Sequence, residues 1–366
     1  MIDKNQYELS FRQVCLFLIA LVPVSKLFMM PSVLAKHSNE DLWLSALLNF
    51  SLDFITLFFV VLSCKNAKNT LIGALEEKFG KTKTKILFCF YLLYFLLKAL
   101  VPINEQKDYV EQTLYTLTPA LLYFSPFFLV AFFFCLKPLR VLGRSADVLW
   151  FTTIVGILVI LALSLGNMDI TSILPIGANG VFNVIKGSFS TLSWFGDAVY
   201  FMFFIGQFKF EKSGTKKILL SFSLSAFIII LFTIIFYSVF TSISFRQKFA
   251  LTEISKYATV INNIGRFDYI GIMLILFSNM FSLSLPLYFM AKLISYIFNV
   301  KRKWISAFIV TGIQASVLIF FNQYVYSIEN FVMNDLGIFF FVFSNVLPII
   351  ISLIVKKENK NEVAVA

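Results

Sequence analysis

The sequence predicts an all-α polytopic membrane protein of about ten transmembrane helices, arranged as two five-helix halves. Three observations predict it. Hydrophobic residues make up 59% of the 366-residue chain and charged residues only 14%, with a mean hydropathy of +0.84. Soluble domains do not have that balance. About ten apolar segments approach the roughly 20 residues that cross a bilayer. Basic residues gather in alternate loops, as the positive-inside rule requires.

The segments run about 11–35, 42–62, 85–104, 119–137, 146–165, 189–208, 217–242, 267–292, 303–321 and 331–355. Segment 63–84 carries Lys65, Lys68, Lys78, Lys81 and Lys83. Loops 138–145, 209–216 and 293–302 carry Arg140 and Arg144, then Lys209, Lys212 and Lys216, then Lys301 and Arg302. Lys356, Lys357 and Lys360 lie in the tail, whereas the opposite loops hold Glu40, Asp41, Glu105, Asp108, Glu111, Asp169 and Glu329. Both termini are therefore expected on the cytoplasmic side, with an even number of spans. A single membrane domain over 1–366 is expected. Residues 1–165 form the first five-helix repeat, 166–355 the second, and 356–366 a cytoplasmic tail. Segment 243–266 resists the pattern, because it would face outside yet carries Arg246, Lys248, Lys256 and Arg266. Phe245, Phe249, Ile254 and Tyr257 lie there at roughly helical spacing, which predicts a short interfacial helix. A re-entrant stretch is the other option.

Several function classes fall away. The net charge is +11, but the basic residues sit between apolar spans, which is a topology signal and not a nucleic-acid-binding face. Cys15, Cys64, Cys89 and Cys135 have neither metal-ligand nor CxxC spacing, and read as free thiols or small hydrophobes. His37 is the single histidine and lies in a loop. There is no HExxH, no GxSxG and no phosphate-cradling glycine loop. No catalytic set, metal site or cofactor is expected, and the chain does not read as an enzyme. Met1–Ser10 is polar and the first apolar stretch is longer than a signal h-region, so no cleaved leader is expected.

The first segment is interrupted. It reads Leu21-Val22-Pro23-Val24-Ser25-Lys26, then Met29-Met30-Pro31. An interior proline removes a helix hydrogen bond and clashes with the preceding turn. A lysine near the bilayer centre costs about 2.5–3.5 kcal/mol on the insertion scale. A second interruption follows in the middle of the chain, where Leu174-Pro175-Ile176-Gly177-Ala178-Asn179-Gly180 precedes Ser190-Thr191-Leu192-Ser193-Trp194-Phe195-Gly196-Asp197. Broken helices at membrane depth survive where they line a cavity or are buried in protein. Paired interruptions five spans apart point to an inverted repeat with its ligand site between the halves.

That pattern predicts ligand contact by Pro23, Val24, Ser25 and Lys26 of segment one, by Ser193, Trp194 and Gly196 of segment six, and by Ser278, Asn279 and Ser282 of segment eight. Lys26, Asp53 and Asp197 form the ion-pairing or coupling set. Lys26 either serves as an internal cation, paired with Asp53, Asp197 or a ligand carboxylate or replacing a coupling ion, or snorkels to the interface. Asp53 reads equally as a structural ion-pair member or as a ligand or proton group, and Asp197 as a cavity or gate residue. The Ser278–Ser284 stripe also suits plain helix packing. Lys98, Asn104 and Glu105 fit a vestibule or an exposed rim.

The chain resembles the B subunits of spore-germinant receptors, the GerAB-type endospore germination permeases of the amino acid–polyamine–organocation superfamily. Leu9-Ser10-Phe11-Arg12-Gln13 resembles their opening, and Pro31-Ser32-Val33-Leu34 with Asp41-Leu42-Trp43-Leu44-Ser45 the approach to span two. Gly143-Arg144-Ser145-Ala146-Asp147 resembles the basic stretch before span five. Leu174-Pro175 with Gly180 and Gly187, and Gly265-Arg266-Phe267-Asp268, resemble the lead-ins to spans six and eight. Relatives usually carry glycines around the first break, where this chain has Val24-Ser25-Lys26.

The resemblance implies a LeuT-like fold with discontinuous helices 1 and 6. It also implies a germinant-sensing subunit in the bacterial cell membrane, specifically the inner spore membrane. Its expected partners are receptor A and C subunits, a small-molecule germinant and membrane lipid, with no nucleic acid. The germinant is expected to be an amino acid or a similar nutrient. A proton-coupled amino-acid transporter of the same fold and a non-transporting scaffold subunit are the competing readings.

Overall fold

The computed structural model describes residues 8–65, 67, 69–113, 120–256, 268–320 and 324–365. Helices dominate. Among the described residues the only β pairing is an isolated parallel bridge between Leu9 and Phe208. Among the described residues, six stretches are long and apolar enough to cross a membrane: Met30–Cys64, Lys81–Glu111, Leu139–Asn167, Gly214–Arg246, Phe277–Ile297 and Gly337–Lys356. Two shorter apolar helices cover Phe124–Leu136 and Lys303–Ile319. Their outer faces leave Leu129, Val148, Phe227 and Phe308 exposed, as suits a lipid surround.

Helix α1 (Phe11–Leu21) starts at a capping box, in which Ser10 Oγ accepts from Gln13 N–H and Gln13 Oε1 accepts from Ser10 N–H. Pro23 follows the helix, and the chain tightens into a 3-10 turn at Val24–Lys26. It restarts as α2 (Met30–Ser38), with Pro31 in the first turn, where its missing N–H is harmless. Helix α3 (Leu42–Cys64) follows α2, and α4 (Leu71–Phe79) caps the chain's return. Helix α5 (Lys81–Thr113) is the longest and carries Pro102 inside it. It runs well past the predicted end at 104.

Helices α6 (Ala120–Leu136) and α7 (Leu139–Ser164) follow. The predicted sixth span, 189–208, is a correction. Its helix begins earlier, as α8 (Gly180–Ser190). The interruption lies inside it, with a 3-10 turn at Leu192–Trp194, and α9 (Ala198–Met202) is only five residues long. The physical reason is Gly196 at φ +83°, which no continuing helix accommodates. Asp41 holds the loop before α8, its carboxylate accepting the N–H groups of Gly177 and Asn179 at 2.7 and 3.1 Å.

The remaining helices are α10 (Gly214–Phe240), α11 (Ala250–Lys256), α12 (Asp268–Ile297), α13 (Lys303–Phe320), α14 (Val325–Asn334), α15 (Gly337–Phe341) and α16 (Leu347–Val365). A π-helical turn at Val342–Val346 joins α15 to α16. The interfacial helix expected in 243–266 differs too. Among its described residues a 3-10 turn ends at Arg246 and α11 follows, with Ala250, Leu251 and Ile254 fully buried. Its first N–H groups donate to Phe28 and Leu27 carbonyls at 3.0 and 3.1 Å, so it docks on the first break. Residues 257–267, with Tyr257, Arg266 and the Gly265-Arg266-Phe267 motif, lie outside the described residues.

Packing sets the two breaks side by side. Helix α1 lies against α7, α10 and α12, and α5 against α12. Helix α3 lies against α8, α10 and α16. Gly187 brings α8 close to α2 and α3, since a Cβ there would stand 2.3 Å from Ser38 Oγ. Asn49 then secures the end of α8, donating to the Ser188 carbonyl and to Thr191 Oγ1, both at 3.0 Å. The first of these bonds meets a backbone carbonyl at the end of the helix, where carbonyls lose their intrahelical partners.

Candidate functional site

Lys26 is fully buried, which removes the snorkelling alternative. Its ammonium donates to Asp197 Oδ2 at 2.5 Å and to the Val22 carbonyl at 2.9 Å. It also lies 5.2 Å from the centroid of the Phe195 ring. The lysine of the first break therefore pairs with the carboxylate of the second. Asp53 is buried on α3 and takes a different partner. Both its oxygens accept from Gly196 N–H, at 3.0 and 2.9 Å. Gly196 has no room for a side chain, because a Cβ would lie 2.5 Å from Ser344 Cβ and 2.7 Å from the Tyr94 hydroxyl.

Helix α5 brings a second cation, which the vestibule-or-rim reading misplaced. Lys98 is 5% exposed. Its ammonium donates to the Phe195 carbonyl and lies 3.9 Å from Asp197 Oδ1. Because α5 runs to Thr113, Lys98 falls near its middle. Glu105 is buried as well and ties both breaks together. It accepts the Met29 N–H, at the start of α2, and the Trp194 indole N–H at 3.0 Å. Asn104 is buried and donates to Glu329 of α14 at 2.5 Å. The repeat Lys98, Pro102, Glu105, Tyr109 at helical spacing carried this signal in the sequence.

A cavity of about 20 Å³ lies between these elements, with room for about one water. Ser25 borders it from the first break and Lys98, Ala99 and Pro102 from α5. Ser193, Trp194 and Asp197 border it from the second break, Tyr200 from α9, and Ser282, Leu283 and Pro286 from α12. Aromatic clusters pack along α5 before and after the cavity-lining residues. Toward the N-terminal end of α5, Phe95, Tyr200 and Phe289 stack with centroids 5.7–5.9 Å apart. Toward its C-terminal end, Tyr109 packs on Phe28 and Phe249 at 5.4 and 5.2 Å.

The structure thus brings Ser25, Ser193, Trp194, Asp197 and Ser282 to one cavity. Lys26 and Gly196 stand behind it through Asp197 and Asp53. Pro23 and Val24 form the turn that presents Ser25. Ser278 instead accepts from Thr153 of α7 at 2.7 Å. Asn279 is buried on the same helix, with an Oδ1 that has no hydrogen-bond partner. Among the described residues, no group of three or more His, Cys, Asp or Glu side chains could hold a metal ion.

A membrane protein with a transporter-like, interrupted-helix architecture is the class that this fold defines. Residues 8–332 match the family described as spore germination protein, and the chain belongs to that family. No curated protein matches it. Solved structures of a manganese transporter from Eremococcus coleocola are similar in fold. A glutamate-to-alanine variant aligns with a TM-score of 0.56 and 11% identity, over 95% of this chain and 80% of that one. The same transporter bound to an aromatic bis-isothiourea compound aligns with a TM-score of 0.55 and 14% identity, over 92% and 77%. The chain is thus an integral membrane protein of the germination family with transporter-like architecture.

Proposed function

We propose that this chain is the membrane subunit of a spore germinant receptor that binds a small nutrient germinant, an amino acid in class, and helps trigger germination. One observation carries the reading within the germination family. Two interrupted helices meet at a water-sized cavity, and a buried Lys26–Asp197 pair joins them. Such breaks place polar groups at membrane depth, and here the backbone groups they expose are met by Lys26, Lys98, Asp53 and Glu105. In this reading the interrupted helices are spans one and six of a ten-span, five-plus-five inverted repeat of LeuT-like type. Residues 1–165 and 166–355 are the repeats and 356–366 the tail. The chain sits in the inner spore membrane, with both termini toward the spore core, beside receptor A and C subunits.

The cavity as it stands admits about one water, so ligand binding requires the aromatic layers at Tyr109 and Phe95 to part. Lys26, Asp53 and Asp197 form the set that couples binding to that movement. A second reading, proton-coupled amino-acid transport, draws on the buried titratable side chains of Asp53, Lys98 and Glu105. Deleting the chain and testing spores against a germinant panel decides the first reading, with loss of response to one amino-acid class expected. Retained response to every germinant refutes it. Uptake of labelled amino acid by liposomes containing the purified chain identifies the second reading.

A further inference from the structure

The carboxylate in the cavity wall is unevenly used. Asp197 Oδ2 is held tightly by Lys26 at 2.5 Å, whereas among the described residues Oδ1 has Lys98, 3.9 Å away. Asp53 is engaged instead with Gly196 N–H, which both its oxygens accept. Lys98 borders the cavity directly, and Lys26 does not. Ser193 also borders it, is 2% exposed, and has a hydroxyl with no hydrogen-bond partner. A buried polar group left unpartnered is costly. A loose ion pair and an orphan hydroxyl facing one small space form a receptor for a group that carries both charges.

We infer that Lys98 is the carboxylate-binding residue, and that a zwitterionic ligand splits the loose Lys98–Asp197 pair. The inference rests on the germinant-binding reading above and deepens it. The ligand carboxylate takes Lys98 Nζ and the Ser193 hydroxyl. The ligand ammonium takes Asp197 Oδ1. Lys26 remains on Oδ2 and holds Asp197 in place, as a positioning residue. The exchange conserves charge, since one intramolecular pair becomes two pairs with a neutral ligand. It requires both ends of the ligand, so an amino-acid carboxamide and a deaminated acid each leave one buried charge without its new partner.

The test uses spores that carry the intact receptor. The standard amino acids are screened by loss of optical density, and the best agonist is compared with its carboxamide and its deaminated acid. Wild-type spores are expected to respond at least about tenfold more weakly to either analogue, the scale of one charged hydrogen bond. Lys98→Met is expected to raise the half-maximal agonist concentration at least about tenfold. It also removes the preference for the acid over the carboxamide, with receptor amount measured by immunoblot.

Ser193→Ala is expected to leave receptor amount unchanged, because it removes a hydroxyl with no partner, and to weaken the response severalfold. If Lys98→Met receptor does not reach the membrane, Lys98→Arg and Ser193→Ala carry the test. Retained carboxamide discrimination is then expected in Lys98→Arg, with a shifted midpoint in Ser193→Ala. A wild-type midpoint in Ser193→Ala, or intact discrimination in Lys98→Met, overturns the inference while the germinant reading stands. If wild-type spores respond to no amino acid through this receptor, both fall.

Discussion

The two breaks are held in different ways. The first carries its own cation. Its turn is made by Pro23 and its own Lys26 covers the Val22 carbonyl, while Glu105 meets the Met29 N–H and the Ala250 and Leu251 N–H groups of α11 meet the Phe28 and Leu27 carbonyls. The second is held from outside. Gly196 N–H goes to Asp53 of α3, the Phe195 carbonyl to Lys98 of α5, and the Trp194 indole to Glu105. A break stitched to two neighbouring helices by three charged groups reports on their positions. A break that carries its own cation can move as a unit. The Lys26–Asp197 pair is where the two behaviours meet.

Substitutions can break this contrast, and Gly196→Ala is expected to be the most damaging. A side chain there meets both a left-handed φ and two atoms within 2.7 Å. Strain of about 1–2 kcal/mol adds to overpacking of about 1–3 kcal/mol. Thermal unfolding of the purified chain should show the loss, and an unchanged midpoint would mean the second break relaxes freely.

Lys26→Met comes next. Removing one partner of a buried pair commonly costs about 3–5 kcal/mol. Lys98 remains 3.9 Å from Asp197, so about 2–3 kcal/mol is expected. Adding Asp197→Leu should recover part of the loss. No recovery in the double variant would show that the pair is not the link between the breaks.

Glu105→Ala leaves the Met29 and Trp194 N–H groups unpartnered, at about 1–3 kcal/mol. Glu105→Gln costs less, because its remaining carbonyl still accepts one of them. Hydrogen exchange should rise at residues 29–32 at the start of α2, and Trp194 fluorescence should shift. If only one break responds, Glu105 does not tie them together.

The smallest effect is a pH dependence at Glu329, which lies outside the apolar spans. Burial raises its carboxyl above the ordinary value of 4.5, partly opposed by the Asn104 hydrogen bond. The folded chain then holds that proton more tightly than the unfolded chain. Its stabilising effect is full below pH 4.5 and is lost as pH rises through the raised folded value. Glu329→Gln should flatten that decline in a series of melting curves, and an unaltered slope would assign it elsewhere.

Much of this arrangement was legible in the sequence. Prolines at 23 and 31 and a lysine between them announce a break. The alternation of basic loops is a topology pattern that needs no tertiary contacts. The second break was legible in kind but not in position. Gly196 and Asp197 looked like the early part of a span, whereas α8 had already begun at Gly180. Gly180 sits at φ +76° as the first residue of that helix, so a glycine read as loop punctuation is a helix start. Lys98 and Glu105 were missed for a different reason. A polar run at the end of an apolar stretch looks like a rim, and only the neighbours packed on α5 reveal that it is enclosed. The partner of Lys26 was open between Asp53 and Asp197, because spacing along the chain does not tell which carboxylate a buried backbone N–H has already taken.

The most direct measurement is germination of spores carrying Lys26→Ala, with the response divided by the amount of receptor in the membrane. If the two breaks form the ligand site and Lys26 holds Asp197 for it, the normalised response falls sharply while assembly is largely kept. A normal response per receptor would contradict the site.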